Sequence, residues 1–381
     1  MKVDIWTPLP PTESGIAHYA DAVFAPGLDG LDIEFSTSTS SVRRADALPV
    51  YQLGNNPHHE FVFEAALERP GVIEIHDFSL HHLVTELTLA RGDMGSYLNF
   101  MSRSAGEPGR LLALKRLNNH FHPRLEFELP LLEPFVETAQ HIIVHSRWAR
   151  ERVRMMRRAA PVSLIPHFCL RPEDSGLDPS DRENIRKRYG ISKDETAIVC
   201  AGFVTEPKRL PWILEALRVC QNNGFRNFRL IIAGEVQNTR YLDAIQDLPD
   251  QKCVKLTGFL SDREFDELFL AADVVPVLRW PSVGESSGVA SRAMGFGATP
   301  LILRNKSFAD FPDKLAEFIE LSSEAEIIQQ LILRFTAIFS GKTENEAIRK
   351  NRAAYAEKEL GLPAVRQTYR ELLTRLCRRT F

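Results

Sequence analysis

Residues 197–233 of the chain read AIVCAGFVTEPKRLPWILEALRVCQNNGFRNFRLIIA, and they carry the clearest indication of the fold class. Two short apolar runs, Ala197–Gly202 and Phe228–Ala233, flank a longer segment, Pro211–Gln221, with apolar residues at helical spacing. The order strand, helix, strand is typical of a βαβ unit, whose two strands lie parallel in one sheet. The stretch therefore predicts an α/β protein.

The same alternation continues on both sides of this stretch. The further predicted strands are Val3–Trp6, Ile33–Phe35, Pro49–Leu53, Val72–His76, His141–Val144, Ser163–Ile165, Cys253–Thr257, Val274–Leu278 and Pro300–Leu303. A polar segment, residues 170–188, separates two series of strands. We expect two doubly wound, Rossmann-like domains, residues 1–170 and 171–360, and a C-terminal helix, residues 361–381, whose return to the first domain stays open. Such sheets bind ligands at the carboxyl ends of their strands, so we expect the domains to face each other across a cleft.

Composition excludes several classes of protein. The 381 residues include 44% hydrophobic and 25% charged residues, with a net charge of −3, which is ordinary for globular domains and argues against a nucleic-acid partner. The five scattered cysteines form no CxxC pair, so we expect neither a disulfide framework nor a structural zinc site. The sequence has no apolar signal core and no apolar run of membrane-spanning length. We therefore expect a cytoplasmic protein, and attachment to the inner face of the membrane stays open.

The net charge conceals a basic segment. Residues 101–170 carry 11 Lys and Arg against 6 Asp and Glu. Its densest part predicts an amphipathic basic surface that could bind anionic lipid headgroups at a membrane or the diphosphate of a lipid. The residues of this predicted surface are Arg147, Trp148, Arg150, Arg154, Arg157 and Arg158. A solvated helix face is an equally good interpretation.

Two segments of the first predicted domain follow strands and offer candidate ligand contacts. Gly15, in TPLPPTESGIA (residues 7–17), lets a ligand approach the backbone before a helix, although a plain loop capped by Ser14 also fits. His76 closes a strand in IEIHDFSLHHL (residues 73–83) and is either a ligand contact or a structural histidine. The spacing of the histidines in this segment matches no metal-ligand pattern, so we expect no metal.

Two segments of the second predicted domain point to an anion. Lys208 stands at the start of a helix, where its ammonium and the helix N-terminus both favour a phosphate, unless it is a solvated surface lysine. Residues 277–300 read VLRWPSVGESSGVASRAMGFGATP. Here Ser286, Ser287 and Gly288 would present N–H groups and hydroxyls to a diphosphate, and Glu285 would accept hydrogen bonds from a sugar. A capping segment with a solvated Glu285 is the alternative.

Together these segments resemble a known family. PLPPTESGIAHY, IIVHSRWARERV, AGFVTEPKRLPWILEAL and GESSGVASRAMGFGATPLIL are similar, in order and spacing, to motifs of GT4-type retaining glycosyltransferases of GT-B fold, the group 1 glycosyltransferases. The resemblance implies transfer of a sugar, with retention, from a nucleoside-diphosphate-sugar donor to a glycan or lipid-linked acceptor in the synthesis of a surface polysaccharide or related glycan. It implies no cofactor and no metal, with the donor on the second domain and the acceptor on the first.

The resemblance also implies roles for particular residues. His76, Lys208 and Glu285 would be catalytic, and the donor contacts would be Gly15, Gly202, Lys208, Arg209, Glu285, Ser286, Ser287, Gly288 and Arg292. The chain departs from the family pattern at Phe203, where Arg is usual, and at Arg209, where Gly is usual, and it keeps one acid of a usual pair of glutamates. Two other functions stay open: a non-catalytic GT-B-like subunit and a nucleotide-sugar epimerase of similar architecture. The oligomeric state is not predicted.

Overall fold

The computed structural model describes residues 1–41, 44–236, 243, 245–341 and 346–380. Its strands are β1 (Lys2–Trp6), β2 (Asp32–Ser36), β3 (Leu48–Leu53), β4 (Val72–Ile75), β5 (His141–Val144), β6 (Val162–Leu164), β7 (Thr196–Ala201), β8 (Phe228–Ala233), β9 (Val254–Leu256), β10 (Val274–Val277), β11 (Thr299–Arg304) and β12 (Glu317–Glu320). Its α-helices are α1 (Gly15–Phe24), α2 (Glu60–Glu68), α3 (His81–Leu87), α4 (Met94–Leu117), α5 (Leu125–Glu128), α6 (Glu133–Thr138), α7 (Arg147–Met156), α8 (Arg182–Arg188), α9 (Leu210–Asn222), α10 (Asp262–Ala271), α11 (Gly288–Gly295), α12 (Glu324–Phe339), α13 (Glu346–Tyr355) and α14 (Leu362–Thr380).

The chain divides into two compact units. Unit 1 contains Met1–His167, Pro281–Ser286 and Leu362–Phe381, and unit 2 contains Phe168–Trp280 and Ser287–Gly361. Each unit is built around one six-stranded sheet in which every pairing is parallel. The predicted α/β fold with two doubly wound sheets is confirmed.

The sheet of unit 1 has the strand order β2-β1-β3-β4-β5-β6. Its central strands are mostly apolar because both of their faces are covered: β3 and β4 are buried at every position, including the polar Gln52 and Glu74. The order reverses between β1 and β3, so the loops that follow these two strands diverge at the carboxyl edge of the sheet. Such a switch point is where open parallel sheets bind ligands.

The last helix of the chain belongs to unit 1. Tyr369 of α14 packs against Phe24 of α1, with ring centroids 5.0 Å apart. Arg366 donates to the carbonyl oxygen of Ala22 at 3.2 Å, and the Cys377 thiol lies 3.8 Å from the carbonyl oxygen of Lys2 in β1. The chain therefore leaves unit 1 after His167, contributes Pro281–Ser286 to it, and returns to it again with α14.

The sheet of unit 2 has the strand order β12-β11-β10-β7-β8-β9. Read from its other edge, this is the 3-2-1-4-5-6 order of dinucleotide-binding folds, and its switch point lies between β7 and β10. The edge strand β12 (EFIE) is not among the predicted strands, because two of its four residues are charged and it is only four residues long. No helix among the residues that the structure describes is both long and apolar enough to cross a membrane.

Candidate functional site

A cavity lies at the switch point of unit 2. Its lining comes from the ends of β7 and β10 and from the start of α11, and includes Gly202, Lys208, Arg279 and Ser287. Three of these residues, Gly202, Lys208 and Ser287, are among the donor contacts predicted from the sequence, and the structure brings them to one place. Since β7 and β10 are neighbours whose connections leave in opposite directions, the crevice follows from the strand order itself.

Gly202 makes room for the side chain of Lys208. Its φ of +81° is left-handed, which favours glycine, and its N–H donates to the carbonyl oxygen of Ala233 at 2.7 Å. A Cβ atom at this position would lie 2.8 Å from the Lys208 ammonium nitrogen. Any other residue at position 202 would therefore both strain the backbone and displace the ammonium.

Lys208 is half-buried at the cavity rather than a solvated surface lysine. Its ammonium donates a hydrogen bond to the carbonyl oxygen of Ala201, at the carboxyl end of β7. Burial, and secondly the nearby positive charge of Arg279, lower the pKa of Lys208 to about 7. An anion in the cavity would oppose both causes and favour the charged ammonium.

Arg279 is a cavity residue that the sequence did not single out. It is the second residue after β10 and lines the same cavity as Lys208. Its main-chain carbonyl accepts a hydrogen bond of 3.2 Å from Asn305, which fixes the backbone at this point. The available signal was its position just after a predicted strand and ahead of the glycines and serines of residues 282–288.

The start of α11 supplies free N–H groups beside the cavity. Ser287 is the N-cap, and its hydroxyl accepts a hydrogen bond of 3.0 Å from the N–H of Ala290. The helix itself begins at Gly288. The first N–H groups of a helix have no partner within it, and its macrodipole places positive charge at this end, so the position suits a phosphate.

Two predicted donor contacts are engaged elsewhere in unit 2. The Nε atom of Arg209 donates to the carbonyl oxygen of Trp280 at 2.7 Å, and its guanidinium lies 5.1 Å from the ring centre of Trp212. Arg292 forms an ion pair of 3.3 Å with Asp266 of α10. The described residues that line the cavity include neither arginine, so the structure does not place them with Lys208.

The segment Pro281–Ser286 is part of unit 1 and carries Glu285 and Ser286. Ser282 donates to a carboxylate oxygen of Glu285 at 2.6 Å, and the Ser282 hydroxyl accepts from the N–H of Gly284 at 2.9 Å. Gly284 has a φ of +80°, and a Cβ there would lie 2.5 Å from the Trp148 ring. A tight turn packed on Trp148 therefore holds Glu285, and Ser286 follows it, half-buried.

Gly15 and His76 lie near the carboxyl edge of the unit 1 sheet. Gly15 is the first residue of α1, next to the N-cap Ser14, and nothing lies within 4 Å of the position of an added Cβ. His76 is buried just after β4, with its N–H donating to the carbonyl oxygen of Leu53 at 3.1 Å. Burial lowers the pKa of His76 to about 3, so its ring is neutral at physiological pH.

The predicted basic surface is a mixture of exposed and engaged side chains on and beside α7. Arg157 donates to the carbonyl oxygens of Val136 and Ala139 at 3.2 and 3.1 Å and so anchors the end of the helix. Glu151 pairs with Arg154 at 3.1 Å and with Arg150 at 3.4 Å. Trp148 packs edge-on against Phe78. Arg147, Arg154 and Arg158 are exposed.

Comparison with known proteins shows which proteins the chain is similar to. Residues 181–308 match the model of the family described as Glycosyl transferases group 1. The Anabaena protein HepE, solved in complex with UDP, superposes with a TM-score of 0.60 at 14% identity, covering 98% of this chain and 99% of that chain. The fold is therefore that of the GT-B glycosyltransferases. Within that class, residues 181–308 carry the resemblance to group 1 that the motifs predicted, and it is confirmed.

Two curated proteins are similar over part of their length. An uncharacterized glycosyltransferase of Methanocaldococcus jannaschii is 31% identical over 133 residues, which are 34% of this chain and 32% of that protein. Lipopolysaccharide 1,2-N-acetylglucosaminetransferase of Salmonella typhimurium is 27% identical over 210 residues, which are 51% of each protein. The chain thus matches about a third and about half of the length of these relatives.

Proposed function

We propose that the protein is a glycosyltransferase whose unit 2 binds a nucleoside-diphosphate sugar in the cavity between β7 and β10. The observation that carries the proposal is the convergence of the half-buried Lys208, Arg279 and the N-terminus of α11 on one cavity. Two cations and a helix N-terminus match the charge of a diphosphate, and the match to the group 1 family covers all three. HepE, which shares the fold, was solved with UDP, and this supports a nucleotide ligand.

The proposed chemistry is departure of the nucleoside diphosphate from the sugar. As the glycosidic bond breaks, negative charge grows on the leaving phosphate, and the Lys208 ammonium and Arg279 stabilise it without a bound metal. Binding of the diphosphate converts Lys208 to its charged form, since its pKa in the free protein is about 7. Glu285 would bind sugar hydroxyls, and the neutral His76 would contact the transferred sugar with Nδ1, since its Nε2 faces Glu74. We propose retention of anomeric configuration, as the GT4-type resemblance implies.

The acceptor in this proposal is a glycan or a lipid-linked glycan bound by unit 1. A groove lies at the carboxyl ends of β1, β2 and β3. Its lining includes Phe61 and the hydroxyl side chains of Thr12, Thr37, Ser38 and Thr39. Hydroxyls and an aromatic face suit a sugar ring. The exposed arginines on and beside α7 would favour an anionic or lipid-linked acceptor. The similarity to a lipopolysaccharide N-acetylglucosaminyltransferase supports a role in surface-glycan synthesis at the cytoplasmic face.

A donor screen tests the proposal. Thermal unfolding of the wild type is measured with UDP-, GDP-, ADP- and dTDP-sugars, and one nucleotide class is expected to raise Tm. Lys208→Met should lose that shift, whereas Lys255→Met should keep it. Lys255 is a matched control because it lies in unit 2 on β9, with its ammonium 3.4 Å from the carbonyl oxygen of Tyr189. No shift with any donor, or an equal shift in Lys208→Met, would overturn the assignment.

Product analysis separates the two alternative functions. A glycosyltransferase releases nucleoside diphosphate, slowly to water or quickly to an acceptor. A donor that binds and is recovered with an inverted ring carbon would identify an epimerase. A donor that binds and is recovered unchanged with every glycan acceptor would identify a non-catalytic subunit.

A further inference from the structure

Three ionisable side chains of unit 1 meet in its interior, away from the unit 2 cavity. Glu74 lies in β4, His76 follows that strand, and His145 follows the neighbouring strand β5. All three are buried, and one potential ligand atom from each lies within 4.8 Å of the other two. The Nε2 atoms of His76 and His145 are 3.3 and 3.4 Å from the same oxygen, Oε1 of Glu74.

Oε1 of Glu74 accepts a hydrogen bond from the Tyr369 hydroxyl, but the described hydrogen bonds join this oxygen to neither histidine. Nδ1 of His145 is 2.9 Å from the carbonyl oxygen of Ile165, and a carbonyl only accepts, so Nδ1 carries the proton. In the neutral ring, Nε2 of His145 then directs a lone pair at a carboxylate oxygen. The Nε2 atoms of both histidines are buried without a hydrogen-bond partner. Hydrogen-bond acceptors that face one another in a buried site raise the free energy of the folded state unless a cation lies between them.

The distances fit a small tetrahedral cation. Ligand atoms at about 2.0–2.1 Å from a tetrahedral Zn²⁺ are about 3.3 Å apart. The two distances from Glu74 to the histidine nitrogens, 3.3 and 3.4 Å, agree with this spacing. Two histidines and one carboxylate are also a ligand set that Zn²⁺ uses in proteins, with a fourth position left for water or another group.

Neighbouring side chains hold the three ligand residues in place. Oε2 of Glu74 accepts from the side-chain amide of Gln52 at 3.1 Å, and Oε1 accepts from the Tyr369 hydroxyl. Tyr19 hydrogen-bonds Tyr369 at 2.9 Å, and its ring packs on that of His76 at 5.0 Å. A histidine that donates its other N–H to a backbone carbonyl, as His145 does, is the common arrangement of metal-ligating histidines.

We propose that Glu74, His76 and His145 bind one divalent transition-metal ion, Zn²⁺, inside unit 1. The ion would neutralise the buried carboxylate and tie β4 to β5 beneath α1 and α14. It is distinct from the diphosphate cavity and does not replace Lys208 there. The sequence did not suggest it, because the ligand spacing 74, 76 and 145 follows no metal motif and the topology alone brings the three residues together.

Metal uptake by the full chain tests this proposal. Protein stripped with a chelator is titrated with Zn²⁺ and with Co²⁺, the metal content is measured by mass spectrometry, and Co²⁺ coordination is measured by visible absorption. We expect one equivalent of metal, the intense visible bands of four-coordinate cobalt, and a rise in Tm on reloading. No stoichiometric uptake by the wild type, or the weak spectrum of six-coordinate cobalt, would overturn the proposal in favour of a shared proton.

Variants assign the ligands. Glu74→Gln and His145→Gln should each lower the affinity for Zn²⁺ by at least tenfold, in line with loss of a ligand. His81→Gln is the matched control: His81 is also buried in unit 1, but its Nε2 is hydrogen-bonded to the Tyr97 hydroxyl at 2.8 Å, so uptake should persist. Retention of full affinity in both ligand variants would contradict the site. If a variant fails to fold, the wild-type titration and cobalt spectrum still decide.

Discussion

Lys208 connects burial to the proposed binding of a diphosphate. Its ammonium lies in a cavity that also contains Arg279, and burial together with this neighbouring positive charge lowers its pKa to about 7. A lysine with this pKa is about half neutral near pH 7 in the free protein. A bound dianion would hold it charged, because an opposite charge nearby stabilises the ammonium.

The first prediction concerns the pH dependence of nucleotide binding. Above pH 7 the free Lys208 is neutral, so binding a nucleoside diphosphate takes up one proton, and affinity should fall by up to about tenfold per pH unit. Below pH 7 both states are charged at Lys208 and its contribution to the pH dependence disappears. Calorimetry in two buffers of different ionisation enthalpy measures the proton uptake. The Lys208→Arg variant stays charged and should bind the nucleotide without proton uptake. Equal proton uptake in this variant would contradict the assignment of the proton to Lys208.

The second prediction concerns Gly202. Gly202→Ala would place a Cβ 2.8 Å from the Lys208 ammonium at a φ of +81°, so the ammonium must move and the backbone is strained. We expect a loss of about 1–2 kcal/mol in unfolding free energy and at least a tenfold loss in nucleotide affinity. Gly176→Ala is the control for strain alone, because Gly176 has a φ of +65° and open space around it. Normal nucleotide affinity in Gly202→Ala would contradict the close approach.

At the level of elements, the predicted strands agree closely with the observed ones. The apolar runs at β1, β4, β5, β7, β8 and β10 were predicted within one residue, because a buried parallel strand carries an apolar run between turn signals. The alternation itself predicted the doubly wound class. The edge strand β12 escaped prediction because charged residues begin and end it.

The candidate site was less predictable than the elements. Position after a strand was enough to single out Gly202, Lys208 and Ser287, which line one cavity. It could not distinguish Arg209, whose side chain turns to the Trp280 carbonyl, from Arg279, which lines the cavity. The direction in which a side chain leaves a loop depends on tertiary contacts, and a single sequence does not contain them.

The third prediction concerns the N-cap of α11. Ser287→Ala removes the acceptor for the Ala290 N–H and should cost about 1 kcal/mol of unfolding free energy. It should also weaken nucleotide binding, because the helix start beside the cavity is then less ordered. Ser323→Ala is the matched control, since Ser323 caps α12 in the same way. The Ser323→Ala control should lose a similar unfolding free energy and keep its nucleotide affinity. Equal nucleotide affinities in both variants would contradict a contact between the start of α11 and the nucleotide.

At the scale of the whole molecule, the two units are not consecutive halves of the chain. Unit 1 receives the C-terminal helix α14 and the short segment Pro281–Ser286, while the rest of the chain between His167 and α14 forms unit 2. Long-range contacts of this kind produce no periodic signal in the sequence. Tyr369 is an example of how such contacts stabilise the fold. Its hydroxyl is hydrogen-bonded to both Glu74 and Tyr19 in the interior of unit 1.

The fourth prediction follows from that position. Tyr369→Phe leaves buried oxygens of Glu74 and Tyr19 short of a partner and should lower the unfolding free energy by about 1–3 kcal/mol. Nucleotide binding by unit 2 should persist when the protein is folded. Tyr189→Phe is the control, because its hydroxyl makes only a long hydrogen bond of 3.5 Å to the Glu264 carbonyl oxygen. Chemical denaturation measures both, and an equal effect of the two changes would contradict the weight given to Tyr369.

In the proposed function, the cavity of Lys208 activates a nucleoside-diphosphate sugar for transfer. The most direct test of this activation is the rate at which nucleoside diphosphate is released from saturating donor, measured by chromatography with mass detection for the wild type, Lys208→Met and Lys255→Met. We expect the wild type and Lys255→Met to release nucleoside diphosphate. Lys208→Met should release it at a rate about 10²–10³-fold lower, with an unchanged Tm. Release by Lys208→Met at the wild-type rate, or no release by the wild type from any donor, would contradict it.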